Sequence, residues 1–556
     1  MRKIVATFFF FAMLILFAAP VESYAQASDT VLVPSLVSSN INGYIMGDTL
    51  ANGDRVNVNR VYKLERNKIY WFDGTMYVDF PLTIVGAEGD TKPPVIAPRI
   101  RQDNSAPGTF VSISSGNATF KNLYLLGIRP DGIPTITATE PDVIGGIAIT
   151  LTGQNLRIVV DNCVFDGWSW EAISYNNNGN KFFITDSKFR NLIHSTSWFY
   201  GEAFRSNGGA ASDTVYMTNN TFFSINGYVF CPVYYNKYFH FEHNTVFLNG
   251  VNPFFTPQLT NAVIKNNIFY GTLAQAQTDI EVAGGWFDWD AQGSSTIGLD
   301  TLSTVGTAFG ITEAQRSIQV KNNAYYWPQK LQDFWNTALM DTLTPPVWMN
   351  NRTNGIFTNN TTWPAIDESG NQNVEPEFPS AVMTQVDSLI KYVQLNRQGG
   401  LGTYEWSYKT GDSRFNVAWP VPENLAYANT ALQSAGDDGY ALGDLNWFPS
   451  QREQWHPIGV NDEFQPAPES FALYQAYPNP FNPSTNLSFS IREAGNVSLK
   501  IYDVMGREVM TLINNEFRAK GDYKYSVNMS GMSSGVYFYR LQQGAKSLTK
   551  KMALIK

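Results

Sequence analysis

The sequence predicts an all-β chain: a parallel β-helix solenoid followed by a small, separate β-sandwich. Three observations carry this expectation. A six-residue phrase recurs between residues 120 and 325, the body is poor in charge but rich in Asn, Gly and aromatic residues, and residues 471–556 change to short, evenly spaced strands.

The phrase is an apolar residue, a variable position, two positions held by Asn or a near relative, another variable position, and an aromatic or aliphatic residue. A loose copy stands at Phe120, Asn122, Leu123 and Leu125. Clearer copies are Val160, Asn162, Cys163, Phe165; Ile184, Asp186, Ser187, Phe189; Met217, Asn219, Asn220, Phe222; Phe241, His243, Asn244, Val246; Ile264, Asn266, Asn267, Phe269; and Val320, Asn322, Asn323, Tyr325. The steps between copies are 40, 24, 33, 24, 23 and 56 residues, a repeat with insertions in the range of solenoids. Short β-branched and aromatic runs bounded by Asn and Gly have strand and turn chemistry, with no sustained helical period. Stacked coils then place each Asn over the next, where side-chain amides hydrogen-bond in a ladder.

Composition agrees. Only 16% of the 556 residues are charged and 14% are aromatic, a balance of extracellular β-proteins. Arg2 and Lys3 precede an apolar run from Ile4 to Ala19, and Ala25, Gln26, Ala27 offer a cleavage site, so residues 1–27 are expected to be a signal peptide. No later run reaches about 20 apolar residues, and no transmembrane segment is expected after cleavage. Residues 28–465 carry 26 Lys and Arg against 41 Asp and Glu, whereas the chain from Pro466 carries 11 against 6. Such an acidic body excludes a general nucleic-acid binder and favours neutral over polyanionic glycans. Cys163 occupies an Asn position of its coil and reads as a buried thiol; with Cys231 it makes two cysteines and no zinc set.

In chain order, residues 28–456 form the solenoid with its caps. Val31 to Arg55 is the candidate first cap, and Ile69 to Phe72, Met76 to Val78, Leu82 to Val85 and Val95 to Ile96 are opening strands. Loops leave the coil at Arg129 to Val143, at His194 to Asp213 and at Thr272 to Ser317. The second carries Trp198, Phe199, Tyr200, Glu202 and Arg205; the third carries Trp286 and Trp289. After Tyr325 the phrase fades. A helix capped by Ser380, with Met383, Val386, Ile390 and Val393 on one face, is expected to close the far end. The run from Asp437 to Phe448 has acidic and Gly residues but not the EF-hand spacing, and reads as a closing turn. Residues 457–470 form a Pro-containing linker. Strands at Leu487 to Ile491, Val497 to Tyr502, Val509 to Ile513, Tyr523 to Val527, Val536 to Leu541 and Leu548 to Ile555 then make a sandwich of the immunoglobulin-like kind.

Within residues 471–556 stand Tyr477, Pro478, Asn479, Pro480, Phe481, Asn482, Pro483; then Ile501, Tyr502, Asp503, Val504, Met505, Gly506, Arg507, Glu508, Val509; then Gly535, Val536, Tyr537, Phe538, Tyr539; and finally Lys550, Lys551. This set resembles the C-terminal sorting domain of type IX secretion substrates. The resemblance implies a Gram-negative, Bacteroidetes-like source, partnership with the type IX machinery, and a secreted or surface-attached product. The body resembles the right-handed parallel β-helix group that includes pectate lyases. There the match is one of coil pattern, and Val159 to Phe165 is similar to a calcium-site strand except that Asn162 stands where His is typical. That resemblance implies a polysaccharide lyase or glycoside hydrolase, and calcium as the one cofactor to consider.

Chemistry is harder to place. Lyases need a basic residue to take a proton beside a carboxylate, and hydrolases need two carboxylates about 5 to 10 Å apart. Asp161 and Glu242 lie three coils apart, roughly 14 Å at the usual strand spacing, and are no pair. Lys237 falls one coil from Asp213, which predicts a cross-strand ion pair. The catalytic candidates are therefore Arg205, Glu202 and Lys237, and the sugar-stacking candidates Trp198, Tyr200, Tyr234, Tyr238, Trp286 and Trp289. Two classes of function follow: a monomeric exported protein that binds or processes extracellular polysaccharide, or a non-catalytic adhesive spacer.

Overall fold

The computed structural model describes residues 30–35, 40–102, 105–128, 146–194, 197, 200–232, 236–255, 258–284, 295–302, 310–337, 343–398, 406–408, 415, 418–455, 471–474, 476, 479–491, 495–518, 521–544 and 546–556. The expectations on residues 1–27 and 457–470, and on Trp198, Tyr234, Trp286, Trp289 and Pro478, lie outside these.

Parallel coils stack into a β-helix. In one coil, Arg157–Asp161 belongs to a first sheet, Val164–Asp166 to a second and Glu171–Tyr175 to a third. The next coil returns in register, with Arg157 beside Lys181, Val164 beside Lys188 and Glu171 beside Glu202. Among the described residues the first sheet has eleven strands, the second ten and the third five. The four opening strands form where their apolar alternation places them, at Ile69–Phe72, Met76–Val78, Leu82–Gly86 and Val95–Pro98.

The recurring phrase is the corner between the first and second sheets, and its two Asn positions have different physical tasks. The first turns the chain through the left-handed region, at φ between 50° and 60° in Asn122, Asn162, Asp186, Asn219, His243, Asn266 and Asn322. Asn and Asp tolerate that conformation because their short polar side chains bond locally. The second position makes the inner ladder: Asn220 donates to Asn244 at 2.9 Å, Asn244 to Asn267 at 3.2 Å, Asn267 to Asn323 at 2.9 Å and Asn323 to Asn371 at 2.9 Å. Asn371 extends the ladder past the last phrase, because one more coil, Ala365–Ser369, pairs with Ser317–Lys321. Its side chains are mostly exposed, so its apolar signature is gone.

Inside, the aromatic position stacks from coil to coil. Phe165 lies 4.8 Å from Phe189 and Phe189 5.1 Å from Phe222; the next coil has Val246 at this position, and Phe222 instead meets Phe241, the opening residue of that coil's phrase, at 5.8 Å. Cys163 is buried in the ladder file, where burial pushes its thiol up to about 12, and neither it nor Cys231 forms a disulfide. Asn244→Ala is expected to cost about 3 kcal/mol, because the amide of Asn220 and the carbonyl of Met217 lose their partner inside the corner. Denaturant unfolding checks it, with Asn371→Ala in the last coil as the milder control.

Caps differ from expectation at one end. The helix Ile41–Met46, capped by Asn40, inserts Ile41 and Ile45 into the solenoid core, within the segment expected to close the first end. At the far end Ile356 and Phe357 of the helix Asn351–Thr358 join that core. The longer helix Ser380–Arg397 does not cover the end. It lies along the outer face of the second sheet, burying Val386, Leu389 and Val393 against an apolar cluster that includes Phe223, Phe247 and Tyr270. Phe223, Phe247 and Tyr270 make that outer face apolar where the helix lies, so it too requires cover there.

The described residues between 406 and 455 run along the same flank as a strap. Glu423 receives Arg190 Nε and Nη2 at 2.8 and 2.9 Å, and Asp186 receives Arg452 Nε and Nη2 at 2.7 Å each. Asp437, Asp438 and Asp444 accept from Lys265, His243 and Thr221, so this acidic run is a fastening turn.

The C-terminal unit packs a three-stranded antiparallel sheet against a four-stranded one, a β-sandwich. Its apolar cluster is built from residues within 473–554, including Leu473, Phe489, Leu499 and Tyr539.

Candidate functional site

The loop expected from His194 to Asp213 contains a strand, Glu202–Ser206, that closes the third sheet beside Glu171–Tyr175. Glu202 and Arg205 therefore sit on rigid backbone, a correction with a simple cause: Glu202, Ala203, Phe204 lacks the phrase and alternates over too few residues to register as a strand. Ala172 and Ile173 both face the core, as do Ala203 and Phe204. Glu202 and Arg205 flank that buried pair on one strand. Arg205 Nη1 donates to Glu202 Oε1, while Arg205 Nε donates to Asn207 Oδ1 at 3.1 Å.

Glu171 stands directly before Glu202 in the same file, 2% exposed against 0%. Burial pushes Glu171 up to about 7, opposed by Arg205. Burial and Glu171 raise Glu202, with Arg205 again opposing. Like charges on adjacent rungs resist double ionisation, so the pair retains a proton at neutral pH. Each residue also leaves its Oε2 buried with no hydrogen-bond partner.

An aromatic rim borders the pair. Trp170, 38% exposed, stacks on Tyr200 at 4.9 Å and 9°. His194 lies 5.4 Å from Tyr200, and the Arg205 guanidinium lies 5.7 Å from the centre of the Tyr200 ring. Burial lowers His194 to about 4, and its Nδ1 accepts from the Ser197 amide at 2.9 Å, so the ring is neutral. Trp170, Glu171, His194 and Asn207 were not among the sequence candidates. One signal was present: Glu171, Ala172, Ile173, Ser174, Tyr175 aligns with Glu202, Ala203, Phe204, Arg205, Ser206, 31 residues later.

Other candidates fall elsewhere. Lys237 Nζ pairs with Asp213 at 3.2 Å, the cross-strand ion pair its spacing predicts, on the first sheet and away from Glu202. Tyr238 bonds His240 Nδ1 at 3.2 Å, His240 Nε2 meets Glu242 at 2.7 Å, and Tyr216 stacks on His240 at 4.6 Å. Tyr238 thus belongs to a hydrogen-bonded chain on the first sheet. Lys237→Ala is expected to change stability by under about 0.5 kcal/mol, as measured by denaturant unfolding, since its ammonium is half-exposed.

Calcium takes about six to eight oxygen ligands. Among the described residues one group of three metal-ligating side chains converges, Glu242, His243 and Asp438, with one ligand atom each within 4.8 Å. This set does not fit calcium. One donor is an imidazole, Lys265 Nζ lies 3.2 Å from Glu242, and Asp438 already accepts from His243 and from Trp455 Nε1 at 3.1 Å. The group fastens the strap.

In the C-terminal unit the motif residues are turn and edge fasteners. Asn479 Oδ1 accepts from the Ala553 amide at 2.8 Å, Phe481 is buried, and the peptide between Asn479 and Pro480 is cis. Gly506, at φ 78°, closes a turn in which Asp503 holds the Arg507 side chain at 2.8 Å. Gly535 opens the strand that carries Tyr537, whose hydroxyl donates to Ser533 O at 2.8 Å, and Lys550 and Lys551 lie on the last strand.

Two antiparallel sheets with these fasteners, following a parallel solenoid, define a two-part β protein, a β-helix with a C-terminal sandwich. Residues 475–556 match the family model described as the secretion system C-terminal sorting domain. The C-terminal unit is thus a type IX sorting domain, which implies the type IX secretion machinery as partner and a secreted or cell-surface location in Bacteroidetes-type bacteria. No curated protein matches the chain. A solved structure of the Dettilon tailspike protein is similar at 11% identity and a TM-score of 0.23, over 54% of this chain and 63% of the tailspike, less than two thirds of its length.

Proposed function

We propose that the exported solenoid binds extracellular polysaccharide of neutral sugars along the outer face of its third sheet, at Trp170, Tyr200 and Arg205. One observation carries this reading: a large ring, Trp170, stands exposed and held flat on Tyr200, directly beside a buried polar cluster. Flat aromatic faces take up the CH faces of sugar rings, and convergent polar groups fix their hydroxyls. The pair Glu171 and Glu202, holding one proton and facing Arg205, is close to neutral in sum. With the acidic body around it, it favours uncharged sugars over uronates.

Isothermal titration of the mature chain with xylan, mannan, galactan, β-glucan and polygalacturonate tests the reading. A neutral polymer is expected to bind, and Trp170→Ala to weaken it about tenfold, the size of one lost aromatic contact. Arg205→Ala is expected to weaken it as well. Absence of binding to every polymer, or binding indifferent to both substitutions, would return the solenoid to the role of adhesive spacer.

A further inference from the structure

We infer that Glu171 and Glu202 are the acid and the nucleophile of a glycoside hydrolase that retains anomeric configuration. The inference deepens the polysaccharide reading above and rests on it.

The two carboxyls have an unmet demand for hydrogen bonds. Two other deeply buried acids are saturated: Glu423 receives two bonds from Arg190, and Asp166 receives Arg190, Asn191 and Tyr124. Glu171 and Glu202 are as deeply buried, yet each keeps an unpartnered Oε2. A buried unpartnered acceptor costs stability, and two of them on adjacent rungs call for donors from a ligand. Sugar hydroxyls are the donors that the Trp170 rim would bring to them.

Their spacing suits one mechanism over the other. Glu171 and Glu202 are register partners on adjacent parallel coils, and such rungs lie about 4.8 Å apart. Retaining enzymes hold their carboxyls about 5 to 5.5 Å apart, whereas inverting enzymes need about 6.5 to 9.5 Å to admit a water. Adjacent rungs meet the first requirement and not the second.

Arg205 divides the roles. Burial raises both carboxyls, Glu202 included, but only Glu202 has the direct ion pair with Arg205 Nη1, and that bond assigns it the ionised form and leaves the shared proton to Glu171. In the first step Glu171 gives this proton to the glycosidic oxygen as the bond to the anomeric carbon breaks. A Glu202 oxygen bonds to that carbon from the other face, and the sugar alcohol leaves. In the second step Glu171, now a carboxylate, takes a proton from water while the water oxygen displaces Glu202. Both residues return to their starting states, and the net reaction is glycoside plus water to two sugars. The environment of Glu171, pushed up to about 7, suits a general acid.

The test uses the mature chain, the neutral polysaccharides named above and 2,4-dinitrophenyl glycosides of neutral sugars. New reducing ends are expected, and proton NMR at early times should show the first-formed product with the anomeric configuration of the substrate. Glu202→Gln is expected to lose about 10³-fold or more in kcat on both substrates. Glu171→Gln should lose about 10²- to 10⁴-fold on polysaccharide but far less on the dinitrophenyl glycoside, whose leaving group needs no proton. That difference separates an acid from a merely structural residue, and unchanged circular dichroism shows that both variants fold. Inverted product, a fully active Glu202→Gln, or a bound polymer that yields no reducing ends would overturn the hydrolase while leaving the binding site in place. If no polymer binds, the polysaccharide reading fails, and inert aryl glycosides would then remove the hydrolase with it.

Discussion

A chain truncated before residue 471 is expected to remain inside the cell envelope, while the full chain reaches the surface or the medium. The sorting domain lies in residues 475–556, and its apolar cluster draws on residues within 473–554. The solenoid has a separate core that begins at Val33 and ends at Ile366. Truncation therefore removes the export signal without opening the core of the cargo, and the retained protein should keep its β-rich circular dichroism. Immunoblots of periplasm, surface and medium read the outcome; equal external amounts of truncated and full chains would refute it. A smaller and more specific change should act through the same unit. Phe481→Ala empties a site that is 2% exposed beside Leu554, at a cost of about 3 to 5 kcal/mol to the sandwich alone.

Arg190→Met is expected to have the largest effect on the solenoid. Arg190 is buried between Asp166 on the second sheet and Glu423 on the strap, and it also donates to Tyr408 O at 2.9 Å. Removing the cation leaves two buried carboxylates with no positive charge between them, Asp166 keeping only its neutral donors Tyr124 and Asn191, a loss of about 3 to 5 kcal/mol. Glu423→Gln keeps the shape and leaves Arg190 paired with Asp166, so its cost should be smaller, about 1 to 3 kcal/mol. Hydrogen exchange across residues 418–455 should rise in both, because Glu423 ties the strap to the second sheet. The defect in Arg190→Met should shrink with acid. Orphaned carboxyls take up protons at higher pH in the folded than in the unfolded chain, so the penalty is present at neutral pH and fades as pH falls. An unchanged melting temperature for Arg190→Met would show that the strap is held by its apolar contacts alone.

The recurring phrase and the opening strands were legible because a parallel coil repeats its environment. Each corner needs a left-handed residue, most follow it with an inward amide, and each inward slot needs a large apolar side chain, so similar letters recur at each turn. The sandwich strands were legible for the ordinary reason of alternation. The helix Ser380–Arg397 was legible as a helix but not in its position, since its apolar stripe fits an end and a flank equally well. The last coil, Ala365–Ser369, was hidden because an exposed rung has little apolar pattern to display.

Glu202 and Arg205 were visible as polar residues in an aromatic stretch, but their partner Glu171 lies 31 residues away and is joined to them only by register. Trp170 is adjacent to Glu171 in sequence, yet nothing local distinguishes its exposed ring from Trp168, which is buried. Lys237 shows the opposite case, in which spacing foresaw the ion pair to Asp213 and the coil geometry placed it far from the carboxyls.

By itself the sequence determined the solenoid, its Asn corners, its aromatic stack and the sorting domain, because each is specified by contacts that repeat or lie close along the chain. Tertiary structure alone decided which acids meet and which rings face outward. Coil length varies with every insertion, so residues brought onto one rung share no fixed spacing, and only the stacked backbone reveals that Glu171 and Glu202 are neighbours.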